Sequence, residues 1–212
     1  MAEPVEAPTE GARRIAETAA HMFAHKGFQG VSMAALAREV GVGKATIFHH
    51  FPSKEDLYFF VLRQACEEVA SFLRRVEEPH ADPDRALQDF ARFNMQHLVE
   101  SPDVARLVLR ELMEGDSERL RTLTNEVYSG IFERLQILIR EGQKAGLYSE
   151  AHDPALVAGI LVGTQLFFTQ TADSWKLLPG VDFAHEPGRF TEGFLSLLLD
   201  GLRPRPSENP EE

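Results

Sequence analysis

The sequence contains very little cysteine and no long hydrophobic run. Cys66 is the single cysteine among 212 residues, so no disulfide can form within the chain. The longest nearly unbroken apolar run, residues 155–168, has 14 residues, whereas a bilayer span needs about 18 or more. The first ten residues include three glutamates and no apolar stretch, so a secretory signal is not expected. These absences predict a cytoplasmic protein without a membrane partner.

Positive charge is scarce overall but concentrated in one segment. The chain has 22 Lys and Arg against 33 Asp and Glu, a net charge of -11. Residues 11–54 nevertheless carry six basic and two acidic side chains, a net charge of +4, which leaves -15 for the remainder. Chance fluctuation in a short window is one explanation. The alternative is a basic region that meets a polyanion and an acidic body that stays soluble.

Strand-like alternation is also lacking, because apolar residues recur at helical spacing nearly everywhere. The fold class is therefore predicted as all-α, with about nine helices and no internal repeat. Gly27, Gly41 and Gly146 follow periodic runs and are expected to end helices with positive φ. The predicted helices are residues 11–26, 32–40, 44–50, 54–76, 83–100, 102–114, 118–145, 154–178 and 187–202.

Residues 32–51 have the pattern of a helix-turn-helix. Ser32 is placed to cap the first helix, Gly41 to form the tight turn, and Ile47 to face the core. At 100° per residue, Ala45 and His49 then point away from the core, and Thr46 and Phe48 flank them. Such a face suits a helix that reads base edges in a major groove. The candidate DNA-binding residues are Ser32, Lys44, Ala45, Thr46, Phe48, His49, His50 and Lys54. A three-helix module that binds protein or is purely structural is the alternative.

A family resemblance rests on the same residues. A 16-residue basic helix is followed by Ser-x4-Ala-x3-Gly-Val-x-Lys-Ala-Thr-Ile-Phe-His-His-Phe-Pro-Ser-Lys-Glu-Asp-Leu. Over about 47 residues, Gly11 to Leu57, this resembles the N-terminal domain of the TetR family of bacterial transcriptional regulators. Three positions depart from the family: Gly43 lacks a capping hydroxyl, Phe48 replaces a common phosphate-binding Tyr, and Met33 replaces a frequent Thr or Ser.

The resemblance implies a second helical domain that binds a small molecule and forms a four-helix bundle with a second subunit. We therefore expect disordered tails at 1–9 and 204–212, a helix-turn-helix DNA-binding domain at 10–53, and a ligand-binding and dimerisation domain at 54–203. The implied function is a ligand-responsive repressor that binds a near-palindromic operator as a homodimer. A helical small-molecule-binding or enzymatic protein without DNA binding is the rival hypothesis.

Apolar stripes with a few polar positions supply candidates for both roles of this second domain. The predicted ligand-binding residues are Phe90, Phe93, Asn94, His97, Phe132, Gln136, Thr164, Phe167 and Phe168. The predicted dimer interface contains Gly159, Gly163, Phe190, Phe194, Leu197 and Leu198. Eleven of the fifteen phenylalanines lie beyond Glu55, which favours a lipid-like or aromatic effector, although core packing explains their number equally well.

Catalytic, cofactor and metal signatures are weak. Residues 41–46 resemble the end of a phosphate-binding loop, but Arg38 and Ala45 replace the glycine and hydroxyl that this motif needs. His21 and His25 share a helical face and could hold a metal, but no third ligand is expected nearby. Cys66 is expected to serve packing. The sequence thus predicts no enzyme, no cofactor and no metal.

Overall fold

A computed structural model of the chain describes residues 9–76 and 82–204, and in this part every regular element is a helix. The first group of helices is α1 (Glu10–Gly30), α2 (Met33–Val40), α3 (Lys44–His50), α4 (Lys54–Val76), α5 (Pro83–Glu100) and α6 (Pro102–Glu114). The second group is α7 (Ser117–Leu123), α8 (Ser129–Lys144), α9 (Pro154–Trp175) and α10 (Pro187–Leu202). The all-α prediction is confirmed. Of the tails predicted as disordered, 1–9 and 204–212, all but Thr9 and Pro204 lie outside the described residues.

The helix ends follow the local signals in the sequence. Thr9 caps α1 by accepting a hydrogen bond from the Ala12 amide at 3.2 Å, so this helix begins one residue before the predicted start. Gly27, Gly41 and Gly146 all have positive φ, at 69°, 78° and 71°, as predicted. Gly27 interrupts α1 where the sequence indicated its end, but helical turns resume and continue to Gly30. The positions at which glycines interrupt or end helices were therefore predicted correctly, but the predicted α1 was too short.

The predicted helix 118–145 is interrupted by a π-helical segment. Thr124–Tyr128 separates α7 from α8, and Val127 in this segment is buried. A π turn accommodates one extra residue without breaking the helical course of the chain. Because five residues are too few to change an apolar period visibly, the sequence pattern predicted one uninterrupted helix.

The chain forms two compact units. The head unit contains residues 9–67 and 103–124, and the body unit contains residues 68–76, 82–102 and 125–204. The head unit is larger than the predicted DNA-binding domain, because the first part of α4, most of α6 and all of α7 join it. The predicted functional boundary at residues 53 and 54 stays a prediction.

A buried polar network adds long-range contacts to the apolar core of the head unit. The Tyr58 hydroxyl donates to Glu111 Oε2 at 2.5 Å, and Arg119 Nε donates to Glu111 Oε1 at 2.8 Å. The Arg119 guanidinium also lies 4.6 Å from the centre of the Phe28 ring. Glu111 and Arg119 are 3% and 8% exposed, so their charges compensate each other away from water. The network joins α1, α4, α6 and α7.

The body unit is built from α5, α8, α9 and α10. These helices bring together a core that contains Leu87, Phe90, Leu135, Leu161 and Leu195. A smaller cluster surrounds Phe168 and includes Trp175, Phe183 and Phe190. Phe168 and Phe190 stack with their ring centres 3.8 Å apart.

Candidate functional site

Helix α3 presents a polar face to solvent from the head unit. Ile47 is fully buried, as its predicted core position requires. Lys44, Ala45, Thr46 and His49 are exposed, and Phe48 is 40% exposed. The Lys44 ammonium lies 5.4 Å from the Phe48 ring centre, within cation-π range. The predicted outer face of this helix therefore consists of side chains available to a partner.

Local geometry holds α3 against α2. Gly41 adopts a left-handed conformation, and its amide donates to the Ala37 carbonyl at 3.0 Å, which closes the turn. Ser32 Oγ accepts from the Ala35 amide at 3.1 Å and caps α2, which leaves its O–H group able to donate. Gly43 at the start of α3 provides no side-chain cap, in agreement with the missing hydroxyl noted in the sequence.

Lys54, a predicted DNA contact, interacts with Phe28 of α1. Its Nζ donates to the Phe28 carbonyl at 3.0 Å and lies 4.1 Å from the centre of the Phe28 ring. Burial, followed by the nearby charge of Arg119, lowers the pKa of Lys54. The Phe28 ring therefore contacts the cations of both Lys54 and Arg119, an arrangement that sequence spacing did not reveal. A phosphate contact by Lys54 stays a prediction.

The first turn of α1 lies beside the end of α3. A Cβ on Gly11 would be 3.1 Å from Nε2 of His50, so the two helices approach closely here. His50 is accordingly half-buried, whereas Arg13 and Arg14 on the same turn of α1 are exposed. Their positive charge contributed to the predicted basic segment, but the sequence did not place them near α3.

A buried amide pair crosses the interior of the body unit. Asn94 Nδ2 donates to Gln165 Oε1 at 2.8 Å, and Gln165 Nε2 donates to the Ala91 carbonyl at 2.6 Å. Asn94 is 5% exposed and Gln165 is fully buried. Asn94 was predicted to line the ligand site, but Gln165 was missed because it lies within an apolar run. An amide in such a run is the signal that could have identified it.

The other predicted ligand-binding residues are distributed over several environments. Phe90 is fully buried, and Phe93 stacks on Phe72 with 4.2 Å between ring centres. The His97 ring is 6.0 Å from that of Phe93, and its Nδ1 lies 3.3 Å from Glu68 Oε2. The half-buried predicted residues are Phe93, His97, Phe132, Gln136 and Thr164. The structure thus brings together Phe90, Phe93 and His97, and their ligand role stays a prediction.

Phe167 and Phe168 point in different directions, although both were predicted to line the ligand site. Phe168 is 2% exposed and packs on Phe190, whereas Phe167 is 55% exposed. Consecutive helical positions differ by about 100°, which explains the separation. Phe167 lies on the outer face of α9, apart from the buried side chains with which it was predicted to line the ligand site.

An apolar stripe runs along this outer face. Leu156, Ile160, Gly163 and Phe167 follow one another at spacings of four, three and four, and all are exposed. A Cβ on Gly163 would meet no atom within 4 Å, so this part of the helix surface is open. Together with Gly159, these residues form what we call the α9 stripe. An exposed stripe of this kind is typical of a surface that packs on another helix.

Helix α10 divides the remaining predicted dimer residues between its two faces. Leu197 is 78% exposed, whereas Phe194 and Leu198 are partly buried against the body core. Phe190 stacks on Phe168 within the same unit. Gly159, Gly163 and Leu197 are therefore exposed and the other three predicted residues are half-buried, and the dimer role of all six stays a prediction.

Helix α9 is long and apolar enough to span a membrane by length and composition. The sequence estimate of a 14-residue run missed this because it stopped at Phe168. One third of the relevant window is buried inside the structure. Core helices of soluble proteins pass the same test, so a single such helix is weak evidence for a membrane protein.

Two minor features of the sequence have defined surroundings. Burial raises the pKa of the Cys66 thiol to about 12, which disfavours the reactive thiolate. His21 and His25 have a third potential metal ligand beside them, because Asp103 approaches both. The prediction that no third ligand lies nearby was wrong, because Asp103 lies beside both histidines. The sequence did not reveal it, because 78 residues separate His25 from Asp103 along the chain.

Two family models match the chain. Residues 15–59 match the model of bacterial regulatory proteins of the tetR family, and residues 83–191 match a tetracyclin repressor-like C-terminal domain. The first match covers α2, α3 and parts of α1 and α4 in the head unit, and the second covers most of the body unit.

Known proteins resemble the chain over nearly its whole length. The HTH-type transcriptional regulator RutR of Escherichia coli O157:H7 is 27% identical over 91% of each chain. The fatty acid metabolism regulator protein of Bacillus subtilis is 24% identical over 89% of this chain and 94% of its own. The solved structure of the fatty acid degradation regulator FadR from Bacillus halodurans superposes with a TM-score of 0.72 at 22% identity, covering 94% of this chain and 100% of its own.

Proposed function

The chain belongs to the TetR family of bacterial transcriptional regulators, and we propose that it is a ligand-responsive repressor that binds a near-palindromic operator as a homodimer. The relatives reported above are regulators, so family membership indicates a non-enzyme. The observation that carries the proposal is the exposed polar face of α3, held by the Gly41 turn at the surface of the head unit.

We propose distinct contacts for the side chains of this face. Lys44, at the first position of α3, is available to a guanine edge or a phosphate, and Ala45 to a thymine methyl group. Thr46, His49 and His50 offer hydrogen bonds to bases or phosphates. Exposed Arg13 and Arg14 extend the positive surface from α1, where they would contact the DNA backbone.

We propose that the α9 stripe and Leu197 form the subunit contact. Burying exposed leucine, isoleucine and phenylalanine side chains between two copies would remove apolar surface from water. Phe167 is assigned to this contact because its ring lies on the stripe. Two copies would then present two α3 helices to successive major grooves about 34 Å apart.

We propose a small apolar effector that binds in the body unit near Phe90, Phe93 and Asn94. The support is an apolar interior in which Phe90 and Phe93 both lie against Phe72, with a buried amide pair in the same unit, together with relatives named for fatty acid metabolism. Binding would favour a subunit arrangement that fits the operator less well, with a coupling free energy of about 1–3 kcal/mol.

The first experiment measures operator binding. DNA fragments selected by the purified protein from random duplexes define the operator, and affinity is then measured against salt. About eight phosphate contacts per dimer would give a slope of log affinity on log salt of about -7. A flat response would favour a helical ligand-binding protein that does not touch DNA.

Lys44 provides a sharper test of α3. We expect Lys44→Ala to weaken operator binding by about 1–3 kcal/mol and to relax preference at one base pair if Lys44 reads a base. Lys144→Ala is the matched control, because Lys144 is an exposed lysine of the body unit paired with Glu141. Equal losses for both variants would contradict the assignment of α3.

The effector is tested separately on the protein with operator bound. Dodecanoate is an aliphatic probe, naphthalene carboxylate is an aromatic probe, and butyrate is a charged control with little apolar surface. Release of DNA by one of the first two, weakened in Phe93→Ala but not in Leu177→Ala at an exposed leucine of the body unit, is the expected result. Release by butyrate alone, or loss of response only in Leu177→Ala, would contradict the proposed apolar site.

A further inference from the structure

Three metal-ligating side chains from two helices converge on the surface of the head unit. Asp103, in the first turn of α6, approaches His21 and His25 of α1. Its Oδ2 lies 2.7 Å from Nδ1 of His21, and its Oδ1 lies 3.0 Å from Nε2 of His25. The two imidazole rings are 4.5 Å apart between centres. We call this group the His-His-Asp cluster.

We propose that the His-His-Asp cluster binds a divalent transition-metal ion of the Zn²⁺ type. Two imidazole nitrogens and one carboxylate oxygen form a donor set that suits Zn²⁺, whereas Mg²⁺ and Ca²⁺ prefer oxygen ligands throughout. The site resembles other three-ligand zinc sites, in which water completes a tetrahedral shell.

The distances are compatible with this assignment. One ligand atom from each residue can be chosen so that all three lie within 4.8 Å of one another. Around a tetrahedral zinc ion with bonds of about 2.0–2.1 Å, neighbouring ligand atoms are about 3.3 Å apart. Side-chain rotations that move the ligand atoms by about 1 Å would therefore bring them to the spacing of a tetrahedral zinc site. His21 and His25 are exposed, so the ion can reach them from solvent.

The position of Arg106 determines how the cluster is paired without an ion. Its Nη1 lies 3.0 Å from Nδ1 of His25, and a guanidinium group only donates hydrogen bonds. Nδ1 of His25 is therefore the acceptor, and Nε2 donates its proton to Asp103. When Nε2 binds a metal instead, the proton of the neutral ring moves to Nδ1. The Nδ1–H group then faces the Arg106 guanidinium, which can only donate. Arg106 must then swing away, which its exposed position allows.

The consequence is a metal bridge between α1 and α6 inside the head unit. Because α1 leads into the helix-turn-helix, the ion would restrain the helix that lies beside α3 at its other end. This consequence for DNA rests on the proposed function, whereas metal binding itself does not. The test therefore uses the protein without DNA, so that its result stands whatever the outcome of the operator experiment.

The experiment titrates ZnCl₂ into the full chain by calorimetry after removal of metals with a chelator. We expect one high-affinity Zn²⁺ per chain, and a loss of affinity of about tenfold or more in Asp103→Asn and in His25→Gln. Co²⁺ serves as a second probe, because its visible absorption reports tetrahedral nitrogen and oxygen ligation. Circular dichroism verifies that the variants, which change surface residues, keep their helices.

Two further variants complete the design. His185→Gln removes an exposed histidine of the body unit and should leave Zn²⁺ affinity unchanged. Arg106→Gln replaces the competing donor with a side chain that can accept from Nδ1–H of His25, so Zn²⁺ should bind several-fold more tightly. Equal affinity in the native chain, Asp103→Asn and His25→Gln would overturn the site. Equal or weaker binding by Arg106→Gln would overturn the role assigned to Arg106.

Discussion

We expect Arg119→Met to lower the free energy of unfolding by about 3–5 kcal/mol. Arg119 Nε donates to Glu111 Oε1 at 2.8 Å, and Nη1 lies 2.7 Å from Asp116 Oδ2. Methionine keeps much of the apolar stem that packs near Phe28 but removes the charge. Glu111, which is 3% exposed, then retains the Tyr58 hydroxyl but loses its cation. The large cost arises from an uncompensated buried carboxylate, not from the value of the ion pair itself.

The matched control is Arg85→Met, the same chemical change in an exposed pair. Arg85 Nε lies 3.7 Å from Asp89 Oδ2, and the arginine side chain is 82% exposed. Screening by water limits the expected loss there to about 0.5 kcal/mol or less. Adding Glu111→Gln to Arg119→Met should recover about 2 kcal/mol, because a neutral amide still accepts from Tyr58. Urea unfolding followed by far-UV circular dichroism measures all four proteins. A loss in Arg119→Met no larger than that in Arg85→Met would refute the reasoning.

Three other predictions follow from the surface, the turn and the thiol. Leu197→Glu should dissociate the proposed homodimer in sedimentation experiments, whereas Leu177→Glu, at a similarly exposed leucine outside the α9 stripe, should not; equal association of both variants would contradict the proposed contact. Gly41→Ala should cost about 1–2 kcal/mol of unfolding free energy because its φ is 78°, not because of crowding; no loss in urea titration would contradict this. Native Cys66, with its pKa raised to about 12, should react with an aromatic disulfide reagent at pH 8 at least about a hundredfold more slowly than in urea; similar rates would show an accessible thiolate.

Contacts between residues close in sequence made the helices and the turn of the head predictable. Capping by Ser32, positive φ at Gly41 and burial of Ile47 depend on neighbours within one or two helical turns. The residue types at those positions were therefore sufficient to predict the helix-turn-helix. The same local signals located the starts of α5 and α9 at Pro83 and Pro154.

The buried face of α9 was not predictable in this way. Apolar residues surround this helix, so its sequence has no clear polar side to mark the surface. Packing against α5 and α8 selects Leu161, Gln165 and Phe168 for the interior and leaves Phe167 outside. The sequence grouped the two adjacent phenylalanines, and only the neighbouring helices separate them.

The sequence by itself determined where α2 and α3 begin and end, to within one residue, and which face of α3 is polar, because backbone capping and helical periodicity act over a few residues. The tertiary structure alone decided that Asp103 meets His21 and His25, and that Glu111 lies between Tyr58 and Arg119. Asp103 and Glu111 lie on α6, which packs against helices distant in the sequence. Such pairings are set by the packing of whole helices, and no spacing along one helix encodes them.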